Sequence, residues 1–491
     1  MDALRGFTWT GIWGLMLTAA TVGCAGDDSG DDGAEPTSTT MLSDTTATPA
    51  SDSGDEPTTS PTPAASSSDG GMVDDSGTDT GEDTDDPTTG GGAMCGNGMT
   101  DPGEACDDGN ATDADGCNQD CTISGSVLWS HNQSSGLGQE DRGFAVGVDA
   151  DGQAYVGGDF HNGTNTDFWV RQYTAEDGLG WTYQGPAGIG NDTARGAVVD
   201  GDTLYVAGFR NVTGQGNNVW LRSFGLDGSP GLDVSYNAPS NSNDVALAIA
   251  LTPTGNLIVG GYETNNLAMT GRNGWIREYT PAGGEGWTAT YNGPSNSTDQ
   301  VNAVAVDSMG NVAVTGYQTV GSQQDIWVRY YDPAGAAVWT TTYEGVEGLN
   351  DVGIGIAFDA ADNVLVVGYE GGTKIPWRVF MRKYDATGVE VWTQFWEGET
   401  VEGAFAQGVA IDGADDIVVV GQQRTDGFGE MFVRKYDTNG TPRWTTGIDG
   451  APGVDDTARA VTIGPANRIW ISGQINLGVD GNDVYVARIA P

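Results

Sequence analysis

Residues 301–343, VNAVAVDSMGNVAVTGYQTVGSQQDIWVRYYDPAGAAVWTTTY, contain four short apolar segments separated by turn-forming residues. The segments cover 301–306, 312–316, 326–331 and 339–343. Their β-branched and aromatic residues are typical of β-strands. The connection DSMGN at 307–311 supplies a Gly that can take a positive φ in a tight turn. This stretch therefore predicts a unit of four consecutive short strands.

The same unit recurs seven times between residues 126 and 491. Three markers keep the same order: a bulky residue beginning the fourth strand, a Gly ending the second strand, and an aromatic residue in the third. They are Trp129, Trp181, Val234, Trp287, Trp339, Trp392 and Trp444, then Gly158, Gly208, Gly261, Gly316, Gly368, Gly421 and Gly473, then Trp169, Trp220, Trp275, Trp327, Phe380, Phe432 and Tyr485. A period of about 50 residues indicates a propeller or another repeat array.

The two ends of this region predict that the array closes into a ring. The region begins with a strand of the fourth type at 127–130 and ends with a strand of the third type at 484–489. The first strand can therefore complete the last unit, which removes two open sheet edges. We predict an all-β fold, a seven-bladed β-propeller of four-stranded blades closed by an N-terminal strand. The units resemble the bacterial seven-bladed β-propeller repeat, as at 287–294 and 325–332. That resemblance implies the fold and a frequent extracellular location, but no single activity.

The composition disfavours several functions. The chain has 20 Lys and Arg against 68 Asp and Glu, a formal net charge of −48, so a phosphate-tracking surface for nucleic acid is excluded. The two His, His131 and His161, lack the context of a nucleophile motif, and no phosphate-binding loop occurs. We expect no catalysis. Glycoside cleavage by paired rim carboxylates remains the alternative, because their spacing cannot be read from sequence.

The N-terminus has the features of an export signal followed by a tether. Residues 1–23 form an apolar, signal-like segment, and the motif TVGCA at 21–25 spans its end. TVGCA resembles the lipobox of bacterial lipoproteins, which implies lipidation of Cys24 and an outer-membrane or cell-surface location. An ordinary secretory signal is the alternative. Residues 24–94 are an acidic Ser/Thr/Pro/Gly linker without Lys or Arg, a composition that predicts disorder.

Residues 95–125 contain the four remaining cysteines: Cys95, Cys106, Cys117 and Cys121. Outside the cytoplasm this even count predicts two disulfides, with three possible connectivities. The spacing disfavours zinc, because the paired Cys knuckles of zinc modules are absent. The motifs CGNG at 95–98, CDDGN at 106–110 and DGC at 115–117 resemble the myxobacterial cysteine-rich repeat. That resemblance implies a surface location, not an activity.

The cysteine-rich segment also holds oxygen ligands that could bind a cation. Asp107, Asp108, Asp113 and Asp115 are Ca²⁺ candidates. Their spacing departs from an EF-hand loop, and Asp-rich turns explain them without metal. We therefore expect no cofactor, with Ca²⁺ at these carboxylates as the alternative.

Two features of the repeats are candidate functional elements. The connections between second and third strands vary between units and share one face with the inter-blade loops. With Tyr262, Tyr317, Tyr369 and Trp377 they predict a binding rim for an extracellular polysaccharide or surface protein. Drift in unselected loops is the alternative. The chain would then be a cell-surface lipoprotein with a non-catalytic binding or adhesion module, held to the membrane by its lipid alone. The alternatives are a polysaccharide-degrading enzyme and a structural envelope component.

The second feature is an Arg in the third strand of six units. These are Arg171, Arg222, Arg277, Arg329, Arg382 and Arg434. One interpretation is a ring of cations for an anionic ligand. The other is structural, with each Arg stacked on blade aromatics or paired with a recurring Asp. The recurring residues are Asp141, Asp192, Asp244, Asp299, Asp351 and Asp456. Recurrence in nearly every unit favours the structural interpretation, because a functional site usually breaks the repeat symmetry.

Overall fold

A computed structural model describes residues 95–491, apart from 187, 189, 266–270, 373–376, 401 and 479–480. The predicted signal peptide (1–23), Cys24 and the linker (24–94) lie outside the described residues. Within the described part of the chain, no helix is both long enough and apolar enough to cross a membrane.

The described residues form seven four-stranded antiparallel sheets, which we call blades 1 to 7. The first half comprises β1 (Val127–Gln133); blade 1, β2 (Arg142–Val148), β3 (Ala154–His161), β4 (Thr166–Tyr173) and β5 (Leu179–Gln184); blade 2, β6 (Thr193–Asp200), β7 (Thr203–Val212), β8 (Gly216–Gly225) and β9 (Pro230–Tyr236); blade 3, β10 (Val245–Leu251), β11 (Leu257–Thr264), β12 (Arg272–Tyr279) and β13 (Glu285–Tyr291); and blade 4, β14 (Gln300–Val306), β15 (Val312–Val320), β16 (Gln323–Tyr331) and β17 (Ala337–Tyr343).

The second half comprises blade 5, β18 (Asp351–Phe358), β19 (Val364–Glu370), β20 (Arg378–Tyr384) and β21 (Glu390–Trp396); blade 6, β22 (Ala404–Ile411), β23 (Ile417–Thr425), β24 (Phe428–Tyr436) and β25 (Pro442–Ile448); and blade 7, β26 (Thr457–Ile463), β27 (Ile469–Asn476) and β28 (Asn482–Ile489). A 3₁₀ turn, Pro465–Asn467, connects β26 to β27.

Blade 7 is completed by the N-terminal strand. β1 pairs antiparallel with β28, from Val127 opposite Ile489 to Gln133 opposite Val484. The first strands of neighbouring blades contact one another around the whole circle, and β26 contacts β2. The predicted closed seven-bladed propeller is therefore confirmed.

The core lies between neighbouring blades. Each blade buries its second and third strands on both faces, because every sheet packs against a sheet on either side. Between blades 2 and 3, for example, Leu221 packs with Val259 and Trp275, and all three side chains are fully buried. The alternation of apolar residues gives way to continuous apolar runs in these strands for the same reason.

Each first strand contains one β-bulge. In blade 4, Val301 pairs with Gly316 and Ala303 pairs with Thr315, so Asn302 is left as the extra residue. A Cβ added at Gly316 would lie 1.9 Å from the carbonyl oxygen of Gln300. The marker Gly is therefore required where the second strand passes the bulge.

The cysteine-rich module contains one disulfide, which joins Cys106 and Cys117 with a Cα–Cα distance of 5.7 Å. The prediction of a second disulfide is not met in the structure, where Cys95 and Cys121 are free thiols. The Cys95 Sγ lies 3.2 Å from the carbonyl oxygen of Asn118. Burial and hydrogen bonds with Cys95 and Glu104 raise the pKa of Cys121 to about 12, which favours the protonated thiol over the reactive thiolate.

The module is attached to the propeller face that carries the connections between first and second strands, which we call the lower face. Asp120 forms an ion pair with Arg468, next to the 3₁₀ turn. The N–H of Gly125 donates to the carbonyl of Ala490 (3.3 Å), and the Thr446 hydroxyl donates to the carbonyl of Gly125 (2.7 Å). The cysteine-rich module therefore lies at blades 6 and 7 of the lower face.

Candidate binding site at the channel mouth

The opposite, upper face carries the inter-blade loops and the connections between second and third strands. Recurring Asp residues join these two sets of loops. Asp299 accepts hydrogen bonds from the N–H of Gly293 in an inter-blade loop (2.5 Å) and from the N–H of Thr319 in β15 (2.9 Å). Its counterparts make similar bonds to backbone N–H groups: Asp141, Asp192, Asp244, Asp351 and Asp456. The variable loops are thus gathered on one rim, as the repeat pattern predicts.

Burial of these carboxyl groups changes their acidity. It raises the pKa of Asp192, Asp244, Asp351 and Asp456 to about 6, against hydrogen bonds from backbone N–H groups that lower it. Their hydrogen-bond donors are main-chain groups of the loops. Main-chain donors, rather than the third-strand Arg residues predicted as partners, therefore hold these Asp residues in place.

The third-strand Arg side chains instead stack on aromatic rings of the preceding blade. Arg277 lies 4.2 Å from the ring centroid of Tyr236. The equivalent pairs are Arg222 over Tyr183, Arg329 over Tyr291, Arg382 over Tyr343 and Arg434 over Trp396, at 4.4 to 4.8 Å. In blade 1, Arg171 donates to Gln133. These cations bridge blades, in agreement with the structural interpretation.

Three sets of seven equivalent residues surround the upper end of the central channel, which we call the mouth. The start ring is Arg142, Thr193, Val245, Gln300, Val352, Phe405 and Thr457; the bulge ring is Phe144, Arg195, Leu247, Asn302, Ile354, Gln407 and Arg459; and the end ring, after each marker Gly, is Asp159, Phe209, Tyr262, Tyr317, Tyr369, Gln422 and Gln474. End-ring residues of blades 1, 2, 5 and 6 contact the start ring of the next blade, as Gln422 does with Thr457 (3.2 Å). Along these blades the mouth is therefore a wall of contacting side chains.

Three of the four predicted rim residues, Tyr262, Tyr317 and Tyr369, lie in this wall rather than on its exposed edge. Tyr262 is 7% exposed and packs with Phe209 and Val245, and Tyr317 is 9% exposed. Arg272 lies over the Tyr262 ring at 4.6 Å. Tyr369 and Trp377 are half-buried. Of the four predicted residues, the structure brings Tyr369 and Trp377 together at a surface that a ligand could contact.

Phe405 completes an aromatic trio with these two residues. Ring centroids are 5.3 Å apart for Tyr369 and Trp377, 5.6 Å for Tyr369 and Phe405, and 5.5 Å for Trp377 and Phe405. Phe405 is not among the rim residues predicted from the sequence. The feature that could have identified it is an aromatic residue at the start of a first strand, where the other units have smaller or polar residues or an Arg.

A second cluster occupies the mouth at blades 7, 1 and 2. Arg195, Arg459 and Arg142 lie 3.9, 4.9 and 5.2 Å from the ring centroid of Phe144. Arg142 forms a two-point ion pair with the buried Asp159, through Nε (3.2 Å) and Nη2 (2.7 Å). Arg459 donates to the side-chain oxygen of Gln474 (3.0 and 3.1 Å).

A cleft of about 690 Å³ runs along the outer strand of blade 6. Its lining includes Glu399, Glu430 and Trp444. Glu399 is paired with Arg434 (2.9 Å), and Glu430 accepts hydrogen bonds from Gln423 and Thr425 (both 3.1 Å). Two carboxylates, those of Glu399 and Glu430, therefore line this concave surface.

The Ca²⁺ candidates of the cysteine-rich module have other partners. Asp107 accepts hydrogen bonds from four backbone N–H groups, including those of Gly98 and Gly109. Asp108, Asp113 and Asp115 accept from neighbouring residues of the same loops. In the parts of the chain that the structure describes, no group of three or more His, Cys, Asp or Glu residues could hold a metal ion.

No family model and no curated protein matches the sequence. Similar solved structures include a protein of unknown function from Dyadobacter fermentans, at 9% identity and a TM-score of 0.45 over 74% of this chain and 98% of that chain. Sqt1 from Chaetomium thermophilum is 14% identical, with a TM-score of 0.41 over 70% of this chain and 83% of its own. Sqt1 bound to the N-terminus of ribosomal protein L10 matches at 13% and 0.43, over 75% of this chain and 100% of its own. Such distant similarity says nothing of function, and the propeller is assigned on its own strand pairing.

Proposed function

We propose that the propeller is a non-catalytic module that binds an extracellular polysaccharide at the channel mouth. The observation that carries this proposal is the half-buried trio of Tyr369, Trp377 and Phe405. Aromatic side chains with one accessible face provide apolar area at low entropic cost, and they suit the apolar faces of sugar rings. The inter-blade loops beside the trio, at 344–350 and 397–403, contain five Glu, one Asn and one Thr that can hydrogen-bond to sugar hydroxyls.

The proposal places this module on the cell surface. Its support is the lipobox-like sequence at 21–25, the resemblance of 95–121 to a myxobacterial surface repeat, and the disulfide between Cys106 and Cys117. Lipidation of Cys24 would anchor the chain to the outer membrane. Replacing Cys24 with Ser should move the protein from the membrane fraction to the soluble exported fraction. An unchanged membrane fraction would contradict the anchor.

Glycan-array binding tests the mouth directly. Trp377→Ala and Phe405→Ala should each weaken binding by about tenfold, since an aromatic contact in a binding site is worth on the order of 1 to 2 kcal/mol. Phe428→Ala is the matched control, because Phe428 is an exposed aromatic residue (45%) at another place on the upper face. If the array gives no hit but a surface protein binds through the same residues, the ligand is a protein instead.

The cleft of blade 6 supports a second candidate, a polysaccharide-degrading enzyme. Glu399 and Glu430 line the same concavity as Trp444, and glycoside cleavage requires two carboxyl groups facing one bond. Release of reducing sugar from extracellular matrix, abolished by Glu430→Gln, would support this candidate. Absence of release by folded wild-type protein, with binding retained, would favour the non-catalytic module.

A further inference from the structure

The mouth differs in charge from the rest of the molecule. Its 21 ring positions, all within the described residues, hold three Arg and a single carboxylate, that of Asp159. The whole chain has 68 acidic residues against 20 basic ones. These positions therefore carry more positive than negative side chains, whereas the chain as a whole is strongly acidic.

The three arginines break the sevenfold symmetry. Arg195 of blade 2 and Arg459 of blade 7 occupy the same bulge position, and both lie over the ring of Phe144 from the blade between them. Leu247, Asn302, Ile354 and Gln407 occupy this position in the other four blades. A residue needed for the fold recurs in nearly every blade, as the third-strand Arg does. A cluster confined to three adjacent blades indicates a site instead.

The geometry of the cluster suits an oxyanion. Stacking uses the face of a guanidinium group and holds its plane, and the N–H groups lie in that plane. At Arg459, Nε and Nη2 donate to the side-chain oxygen of Gln474 (3.1 and 3.0 Å), which an oxyanion would replace as the acceptor. The two-point contact of Arg142 with Asp159 shows this fork binding a carboxylate in the mouth itself. Guanidinium forks pair in the same manner with other planar or tetrahedral oxyanions.

We propose that the Arg195–Phe144–Arg459 cluster binds the oxyanion group of an acidic polysaccharide, either a uronic-acid carboxylate or a sulfate ester. Sugar rings of the same polymer would lie on the aromatic trio of blades 5 and 6, on the other side of the mouth. The inference rests on the proposed function and adds the charge of the ligand to it. Because the chain carries a net charge of −48, long-range electrostatics repel polyanions, and binding of an acidic polymer requires a local basic site.

Calorimetric titration of the full-length chain with three probes tests the inference. The probes are an oligogalacturonate, the same oligomer fully methyl-esterified, and a sulfated oligosaccharide. The ester removes the charge and keeps the sugar. We expect one charged probe to bind at least about tenfold more tightly than the ester, since hydrogen bonds to charged groups are worth about 1.5 to 3 kcal/mol. The charged probe that binds identifies the oxyanion as a carboxylate or a sulfate.

Arg→Gln variants show where on the propeller the charged probe binds. Arg195→Gln combined with Arg459→Gln should weaken binding of the charged probe by about tenfold or more and leave binding of the ester unchanged. Arg443→Gln removes a positive charge on the outer strand of blade 6, where Arg443 pairs with Asp416 (3.0 Å), and should have no effect on binding.

Equal affinity of wild-type protein for the charged oligomers and the ester would overturn the inference and leave the proposed function standing. So would a charged probe that binds the double variant as tightly as wild type. If the double variant fails to fold, the affinities of the wild-type protein for the charged oligomers and for the ester still test the inference. Failure of all three probes and of neutral glycans to bind would overturn the proposed function as well.

Discussion

At the scale of the residue, the recurring Asp of the upper face shows what repetition can and cannot reveal. Its recurrence is visible in the sequence, but its hydrogen-bond donors are backbone N–H groups, which have no signature there. Pairing with the third-strand Arg was therefore an equally natural prediction. Blade 6 has Ala404 at this position, and there the N–H of Gly403 donates instead to the main-chain carbonyl oxygen of Glu397 (3.1 Å).

Replacing Asp299 with Ala should destabilise the propeller by about 2 kcal/mol or more, because the buried N–H groups of Gly293 and Thr319 lose their acceptor. Asp299→Asn keeps one acceptor oxygen and should cost less. Urea unfolding measures both. Asp227→Ala, at an exposed turn, is the control and should change stability little. Equal effects at the two positions would refute the role given to Asp299.

The same residues predict an unusual dependence of stability on pH. Burial raises the pKa of Asp192, Asp244, Asp351 and Asp456 to about 6, whereas the ordinary value is 3.8. Between these values the folded state binds more protons than the unfolded state, so this contribution is full below about pH 4 and is lost as pH rises through 6. The free energy of unfolding should therefore increase by at least about 2 kcal/mol from pH 7.5 to pH 5.

Thermal or urea unfolding at pH 7.5, 6 and 5 checks this sign. Asp244→Asn together with Asp351→Asn removes two of the titrating groups and should flatten the profile. A stability maximum at pH 7 or above in the wild-type protein would show that other carboxyl groups dominate.

At the scale of the element, the bulge in each first strand decides which side chains surround the mouth. The marker Gly was evident in the sequence, and so were the four strands of each unit. The bulge was not, because an extra residue in one strand becomes visible only when its partner strand is placed. For that reason Phe144, Arg195 and Arg459 were not recognised as neighbours. The burial of Tyr262 and Tyr317 was missed likewise, because it depends on packing against the next blade.

Gly316→Ala should destabilise the protein by about 3 kcal/mol or more, because the added Cβ would overlap the carbonyl of Gln300 at 1.9 Å. Gly274→Ala in β12 is the matched control. There the added Cβ meets its nearest neighbour at 3.4 Å, an ordinary contact. Equal unfolding midpoints for the two variants in urea would contradict the steric role of the marker Gly.

At the scale of the whole molecule, the number of blades, their strand composition and the closure by the N-terminal strand could all be predicted from repeated markers. The markers that indicate these features occur seven times in the same order, so a chance match is improbable. The binding surface could not be predicted to the same extent, because it consists of the positions where the repeats differ. Trp377 could be predicted because an aromatic residue stands out in a polar loop, and Tyr369 because it lies in β19 just before that loop.

Deleting residues 95–133 should cause aggregation, because it exposes the pairing edge of β28. Deletion of residues 95–124 alone removes the module but keeps β1, and should leave a folded protein of the same oligomeric state as the full chain. Size-exclusion chromatography with light scattering distinguishes the two. A longer-deletion product that is folded and has the same oligomeric state as the full chain would mean that β1 is dispensable for closure.

The attachment of the module to the lower face has a mechanical consequence. Residue 125 leads directly into β1, the strand that closes the ring. Under the proposed anchoring, a pull on a ligand held at the upper face would be transmitted along the axis of β1 into its pairing with β28. Loaded lengthwise, the hydrogen bonds of that pair share the tension simultaneously and do not open one after another. The β1–β28 pair, where the ring closes, is thus oriented to resist a pull between the anchoring membrane and a bound ligand.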